Sequence, residues 1–335
     1  MTTILQTKHL STGYKTSAIS ENLNLTLRQG ELVCLIGPNG AGKSTLLRTL
    51  AGLHPPLSGQ VFLAGDNLRG LTRAEIAQRL SLVLTERPDV GLLNGYALVA
   101  LGRHPHTNWM GRLSNHDSAM ISWAIEAVGA SDIAHQPLIE MSDGQRQKLM
   151  IARALAQDPQ LIMLDEPTAY LDLPRRVEVM ALLSHLAHHL GQAMLITTHD
   201  LDLALRTADT IWLMSSDGSI QVGAPETLVF TGAFEHVFAR EGICFDPLTG
   251  TFTTHHHTSK SVVLYGTPNT VSYIWTERAL VRHHWHVIHH DDATLPTLPT
   301  VTINPTEPIS WTIEQDSEIK TVDDVDALLN VLAQS

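Results

Sequence analysis

The sequence Gly37-Pro38-Asn39-Gly40-Ala41-Gly42-Lys43-Ser44-Thr45 lies between an apolar run, Leu32-Val33-Cys34-Leu35-Ile36, and Leu46-Leu47-Arg48-Thr49-Leu50-Ala51. A buried strand, a glycine-rich turn and a helix opening follow one another, which is the order a phosphate cradle requires. Glycines at 37, 40 and 42 let the backbone turn tightly and bring N–H groups against a phosphate chain without Cβ clashes. The start of the next helix adds unpaired donors and the positive end of its dipole. Lys43 is placed to reach β- and γ-phosphates, and the Ser44 hydroxyl to bind Mg²⁺, an oxygen-preferring ion that takes its remaining ligands from water and substrate phosphates.

Composition narrows what surrounds this cradle. The chain has 335 residues, 43% of them hydrophobic, enough for one large or two ordinary globular domains. A formal charge of −12 speaks against DNA or RNA as the main ligand, because neutralising a nucleic-acid backbone takes clustered Lys and Arg. Two cysteines, Cys34 and Cys244, make no metal-ligand spacing and suit a reducing compartment. No apolar run approaches the ~18 residues of a membrane span, and Met1-Thr2-Thr3-Ile4-Leu5-Gln6-Thr7-Lys8 lacks a secretory apolar region. The expectation is a cytoplasmic protein that meets a membrane only through a partner.

Upstream of the cradle, short apolar stretches alternate with turn signals over residues 3–33 and predict antiparallel strands. Tyr14 sits in such a turn, either packed on the sheet or offering a face to an adenine ring. Downstream, Gln60–Gly65 reads as a strand, Thr72–Arg79 as a helix with Thr72 and Glu75 at capping-box spacing, and Leu80–Leu84 as a short buried strand ending at Thr85-Glu86. From there to about Gly129 the apolar spacing is helical, interrupted by a polar loop, 102–112, that holds Trp109. Met141-Ser142-Asp143-Gly144-Gln145 introduces a further helix with Ser142 as a natural N-cap.

Leu161-Ile162-Met163-Leu164 is a fully apolar strand that ends in Asp165-Glu166. Acidic residues directly after a buried strand fall at the carboxyl edge of an α/β sheet, where ligands bind. Asp165 is read as orienting Mg²⁺ and Glu166 as polarising an attacking water. Ala169-Tyr170-Leu171-Asp172 leads into a helix closed by Gly191, and the strand 193–198 ends at His199-Asp200, a third polar signal at the same edge.

Taken in this order and spacing, residues 37–45, Ser142 to Gln145, Asp165 with Glu166, Asp172 and His199 resemble the ATP-binding-cassette ATPases. The resemblance covers roughly residues 3–245. It implies an α/β fold of the P-loop type, with a RecA-like core, an antiparallel β subdomain and a helical insert at about 86–156. It also implies Walker A at 37–45, a signature at 141–145 acting on the nucleotide of a second copy, Walker B ending at Asp165, Glu166 as catalytic base, a D-loop reaching Asp172, a switch histidine at His199 and Tyr14 as adenine platform. ATP and Mg²⁺ are the implied ligands. Two copies would pair head to tail with ATP between one cradle and the other copy's Ser142 and Gly144.

Two positions depart from the family pattern. Asp143 stands where a second glycine is usual, and the place of the glutamine that touches Mg²⁺ falls on Thr85, leaving Thr85 or Glu86 as its substitute. Within the family, Val99–His106 and Trp109–Arg112 are similar to subunits that drive import of iron siderophores, haem and cobalamin. There the helical insert receives a coupling helix of a transmembrane permease fed by a substrate-binding protein, with Arg103 and Trp109 as residues that could line the groove. The implied location is peripheral, at the cytoplasmic face of the inner membrane. Import of zinc or manganese, export, or a non-transport cassette are the alternatives.

Beyond Phe245 the resemblance stops. Residues 246–260 read as a linker and 261–335 as a small accessory α/β domain, with strands near 261–266, 285–289, 300–303 and 310–313 and helices at 272–282 and 322–332. Its histidines, His255-His256-His257, His283, His284, His286, His289 and His290, are of a type that binds Zn²⁺, Ni²⁺, Cu²⁺ or haem iron when clustered, but they lack a fixed spacing backed by cysteines or carboxylates, and the expectation set against metal binding is a solvated linker and strand edge.

Overall fold

The computed structural model describes residues 2–15, 17–85, 93–107, 110–239, 243–254, 260–289, 298–305, 308–315 and 318–333. The chain divides into two compact units, Met1–Thr253 and Thr254–Ser335.

The first unit opens with β1 (Thr3–Tyr14), β2 (Ser17–Leu23) and β3 (Thr26–Arg28), followed by β4 (Leu32–Ile36), α1 (Lys43–Leu50), β5 (Ser58–Leu63) and β6 (Asp66–Asn67). Strands β1, β2, β3, β5 and β6 form one antiparallel sheet around β1. Next come α2 (Arg73–Arg79), β7 (Leu80–Val83), α3 (Gly95–Ala100), α4 (Asn115–Ala127) and α5 (Asp143–Ala156). The expected capping box at α2 is formed, with Thr72 N donating to Glu75 Oε2 at 2.7 Å and Glu75 N to Thr72 Oγ1 at 3.2 Å.

The unit continues through β8 (Leu161–Asp165), α6 (Leu173–Leu190), β9 (Ala193–Thr197), α7 (Leu201–Thr207), β10 (Thr210–Met214) and β11 (Ile220–Gly223). The second sheet has the order β11-β10-β4-β9-β8-β7, parallel throughout except for β11. Strands β4, β8 and β9 are buried at every position, and apolar except for the terminal Asp165 and Thr197, because both faces of the sheet are covered. Along β4, Leu32, Cys34 and Ile36 pack with α5 and α6, while Val33 and Leu35 pack with α1 and the antiparallel sheet. Parallel strands end on one edge, so β4, β7, β8 and β9 deliver the segments that follow them to the same rim.

Residues 225–238 form two short helices, α8 (Pro225–Phe230) and α9 (Ala233–Phe238), separated at Gly232 with φ 69°. Part of the stretch read as a linker is ordered: β12 (Ile243–Asp246) and β13 (Thr251–Thr254) pair as a hairpin. Phe252 packs edge-on against Phe238 and Phe245 at 5.2 and 5.4 Å between ring centres, which ties the hairpin to α9. Two aromatics outweigh the polar Thr run around them.

The second unit comprises β14 (Lys260–Tyr265), α10 (Val271–Arg282), β15 (Trp285–His289), β16 (Thr300–Asn304), β17 (Ser310–Gln315), β18 (Glu318–Val322) and α11 (Val325–Ala333). Its sheet runs β15-β14-β16-β17-β18, with β17 and β18 antiparallel and α10 and α11 contributing to one core with Val262, Leu264, Trp285, Val301 and Ile313. The sequence reading missed β18, whose residues are mostly exposed, and began the last helix too early at Val322, the final residue of that strand.

Candidate active site

Strand β4 delivers the chain into the glycine-rich loop at the rim. Gly40 and Gly42 have φ of 82° and 108°, backbone that L side chains adopt at a cost, and a Cβ on Gly37 would lie 2.3 Å from the Met214 carbonyl oxygen. Ala41 N closes the turn on Pro38 O at 3.3 Å. Asn39 is solvent-facing and Ala41 buried. Helix α1 begins at Lys43 with Gly42 as N-cap, so the N–H groups of its first turn, Ser44 and Thr45 included, point toward the loop. Lys43 is 6% exposed, and its ammonium donates to Gly37 O at 2.8 Å and Pro38 O at 3.0 Å. Burial lowers its pKa below the usual lysine value, while the charges of Glu166 and Asp165 act in the opposite sense. The two carboxylates stand at the end of β8 and directly after it, on the rim reached by β4.

Asp165 is 8% exposed and accepts the Thr197 hydroxyl at 2.6 Å. Thr197 also accepts Glu166 N–H on its Oγ1 at 2.9 Å and again on its carbonyl at 3.1 Å. Glu166 has φ 50°, a left-handed backbone rare for a residue with a side chain and held here by those bonds. Its Oε1 is 2.5 Å from His199 Nε2, which follows β9. Nε2–H donates to Oε1, leaving Oε2 with lone pairs for another proton donor.

Thr85, after β7, donates its hydroxyl to the Asp165 backbone carbonyl at 2.7 Å. That proton is committed to holding the β8 end, and Glu86 lies outside the described residues. Asp172 N-caps α6, accepting Arg175 N–H at 3.0 Å. Just before it Tyr170 and just after it Leu173 are 71% and 72% exposed, an apolar surface beside the carboxylates.

The signature stretch is placed differently, at the start of α5 in the helical segment rather than at a strand end. Ser142 is exposed and caps α5 in a reciprocal box with Gln145, Ser142 N to Oε1 at 2.9 Å and Gln145 N to Ser142 Oγ at 3.3 Å. Gly144 is buried, and a Cβ there would meet the Arg175 side chain at 3.2 Å. Asp143 lines a cleft together with Thr85, Met150, Glu166 and Leu171.

Tyr14 is 49% exposed at the end of β1, and the Thr45 hydroxyl donates to its Oη at 3.4 Å. Arg103 corrects an expectation: it is 2% exposed, paired with Asp117 at 2.8 Å and donating to Ala156 O at 2.8 Å, so it supports the helical segment and lines no surface groove. Trp109 lies outside the described residues.

The ABC transporter family profile matches residues 20–169, and a separate profile, the iron ABC transporter C-terminal domain, matches 259–333. An ABC transporter ATP-binding protein of Methanocaldococcus jannaschii is 39% identical over 262 residues, 78% of this chain and 90% of that one. The chain belongs to the ABC transporter ATP-binding proteins. This ATP-binding protein is also 36% identical to the iron(3+)-hydroxamate import ATP-binding protein FhuC of Bacillus subtilis, over 73% of its own length and 91% of the relative's. Among solved structures it is similar to cbiO1 of Clostridium perfringens, part of the complex cbiONQ (27% identity, TM-score 0.61, 72% and 96% covered). It is similar, too, to the dimeric post-hydrolysis state of the cassette MJ0796 bound to ADP and Pi (26% identity, TM-score 0.56, 66% and 99% covered).

Two features of this ABC ATP-binding protein escaped sequence reasoning. Thr197 gave no signal beyond a polar residue at the end of an apolar strand, and residues 259–333 carried no motif to set beside the iron ABC transporter C-terminal domain. Among the described residues no three His, Cys, Asp or Glu side chains gather to hold a metal ion. His283, His284 and His286 are exposed, His289 bonds Tyr273 Oη at 2.6 Å, and His255–His257 and His290 lie outside the described residues. No helix among the described residues is long and apolar enough to cross a membrane.

Proposed function

We propose that this chain hydrolyses ATP as the motor subunit of an importer for iron chelates, paired with a second copy of itself and seated peripherally on the cytoplasmic face of a transmembrane permease. The observation that carries the reading is one sheet rim holding the Lys43 cradle, Asp165 and the Glu166–His199 pair. The iron assignment rests on the siderophore-importing relative and on the match of residues 259–333.

The cradle N–H groups and Lys43 bind the phosphates, and Tyr14 takes the adenine. Glu166 Oε2 accepts a proton from the attacking water while His199 holds the other carboxylate oxygen and stands beside the γ-phosphate. Ser44 and Asp165 are oxygen donors fitted to Mg²⁺, Asp165 already oriented by Thr197. When bound, that ion neutralises charge on the phosphates. Thr85 serves by fixing the β8 end.

Ser142, exposed at the start of α5, completes the site of the second copy, and the exposed Tyr170 and Leu173 supply contact surface. Closure on ATP and opening after hydrolysis is the stroke delivered to the permease, whose substrate comes from a separate binding protein. The test is uptake of a radiolabelled ferric siderophore in cells lacking the gene, complemented by wild type or Glu166→Gln. Complementation by the variant would sink the ATPase assignment, and unchanged uptake on deletion the transport assignment.

A further inference from the structure

His54 has no role in the cradle as described, yet it joins the two ends of the nucleotide site. Its backbone belongs to the end of the phosphate helix: Leu53 N and His54 N both donate to Arg48 O, at 2.9 and 3.2 Å, just beyond the last turn of α1. Its side chain belongs to the other sheet. Nε2 lies 2.7 Å from Gly13 O, the residue before Tyr14, and the imidazole packs on the Tyr14 ring at 4.8 Å with the planes tilted by 50°. Tyr14 is thereby tied to α1 twice, through His54 past its C-terminus and through Thr45 in its first turn.

Because the carbonyl can only accept, Nε2 carries the hydrogen, and protonation of Nδ1 leaves that bond in place. The anchor therefore works in both charge states of the imidazole. Tyr14 still presents exposed surface, 49% of the residue, although His54 packs on the ring. An aromatic held by its neighbours loses little freedom when a base stacks on it, and a free one loses more.

We propose that His54 is a positioning residue for the nucleotide base: it fixes Tyr14 and the end of β1 to the cradle helix, so that the distance from base platform to phosphate loop is set before ATP binds. The inference rests on reading Tyr14 as the adenine platform. It assigns to His54 a share of base affinity and none of phosphate affinity.

The experiment compares binding of Mg-ATP with that of Mg-tripolyphosphate, which has phosphates but no base, by calorimetry on the full chain. His54→Ala is expected to weaken ATP about 3- to 10-fold, the range for one side chain left to be ordered on binding, and to change tripolyphosphate by less than about 2-fold. KM for ATP rises with it while kcat moves less. His54→Gln, whose amide can still donate to Gly13 O, recovers part of the loss. Tyr14→Ala is expected to weaken ATP by about 10-fold or more, and the double variant no further, since His54 acts only through the ring.

Equal weakening of both ligands by His54→Ala would make His54 a support of the whole cradle and overturn the proposal, as would an additive double variant. If Tyr14→Ala weakens ATP and His54→Ala does not, the His54 inference alone falls. If Tyr14→Ala leaves ATP binding intact, the platform reading falls and takes this one with it.

Discussion

Replacing Arg103 with Ala tests whether the helical segment is held by a buried ion pair or merely decorated with a surface arginine. The guanidinium lies in a short 3₁₀ turn, Leu101–His106, 2% exposed, with Nε on Asp117 Oδ1 and Nη1 on Ala156 O, both at 2.8 Å. Asp117 in turn closes the N-terminus of α4, accepting Ser114 N at 2.8 Å and Ser114 Oγ at 2.6 Å. Truncation strands a carboxylate that is itself 5% exposed and an unpaired carbonyl. Breaking a buried pair from one side costs about 3–5 kcal/mol, which for a domain of this size lowers Tm by roughly 6–20 °C.

The same pair gives a pH signature. Hydrogen bonds from the Ser114 hydroxyl, then its N–H, hold the Asp117 carboxyl well below the usual range, and Arg103 adds to them against desolvation. A depressed carboxylate contributes stability that is present above its unfolded pKa, about 4, and lost as pH falls through the folded value. Wild type should keep this contribution down to pH about 4 and lose it below, and Arg103→Ala, in which Ser114 alone holds the Asp117 carboxyl down, should start from a lower Tm and lose less between pH about 4 and about 3. Circular-dichroism melts from pH 3 to 7 provide the measurement. A Tm within about 2 °C of wild type, together with lost permease co-purification, would refute the structural assignment and return Arg103 to the docking groove.

Glu166→Gln should slow phosphate release by about 10²- to 10⁴-fold and leave an ATP-bound dimer on gel filtration, since the water loses its proton acceptor; turnover near wild type would remove Glu166 from the mechanism. Lys43→Ala and Ser142→Ala should each abolish hydrolysis alone, yet mixed in equal amounts recover about a quarter of the wild-type rate, because half the dimers are mixed and each keeps one intact site. No recovery on mixing would mean that Ser142 acts on its own chain's nucleotide. Burial pushes the Cys34 thiol up to about 12, so at pH 8 only about one in 10⁴ molecules carries the thiolate there. Iodoacetamide should label one cysteine, Cys244, in the native protein and two after unfolding; rapid native labelling of Cys34 would contradict its burial in β4.

The parts of the site legible in the sequence are those built from contiguous residues. Lys43 is held by carbonyls only five and six residues away, so the spacing of glycines and lysine contains the geometry. Asp165, Glu166 and His199 were legible because each lies at or within two residues of the end of a strand of the parallel sheet, and such strands share an edge. Arg103 and Trp109 read alike as polar-loop residues near a groove. Only the pairing with Asp117, fourteen positions on, shows that Arg103 faces inward.

Residues 246–260 show the same limit from the other side. Their Thr-rich composition describes a linker until Phe252 meets Phe238 and Phe245, contacts a composition cannot display. Thr197 and His54 were invisible for a related reason. Each acts through bonds to residues about 30 to 40 positions away, on another strand, and nothing adjacent in sequence marks it.

The sequence by itself determined the phosphate cradle, the order of carboxylates and histidine along one sheet rim, and the family, because these depend on local turn chemistry and strand succession. The tertiary structure decided how Asp165 and Glu166 are aimed, that Thr85 is bound to the β8 backbone, that Arg103 is a buried prop and that Tyr14 is locked to α1 by His54. Those are choices among long-range partners, and a hydrogen bond or a ring contact has a partner only once the chain has closed around it.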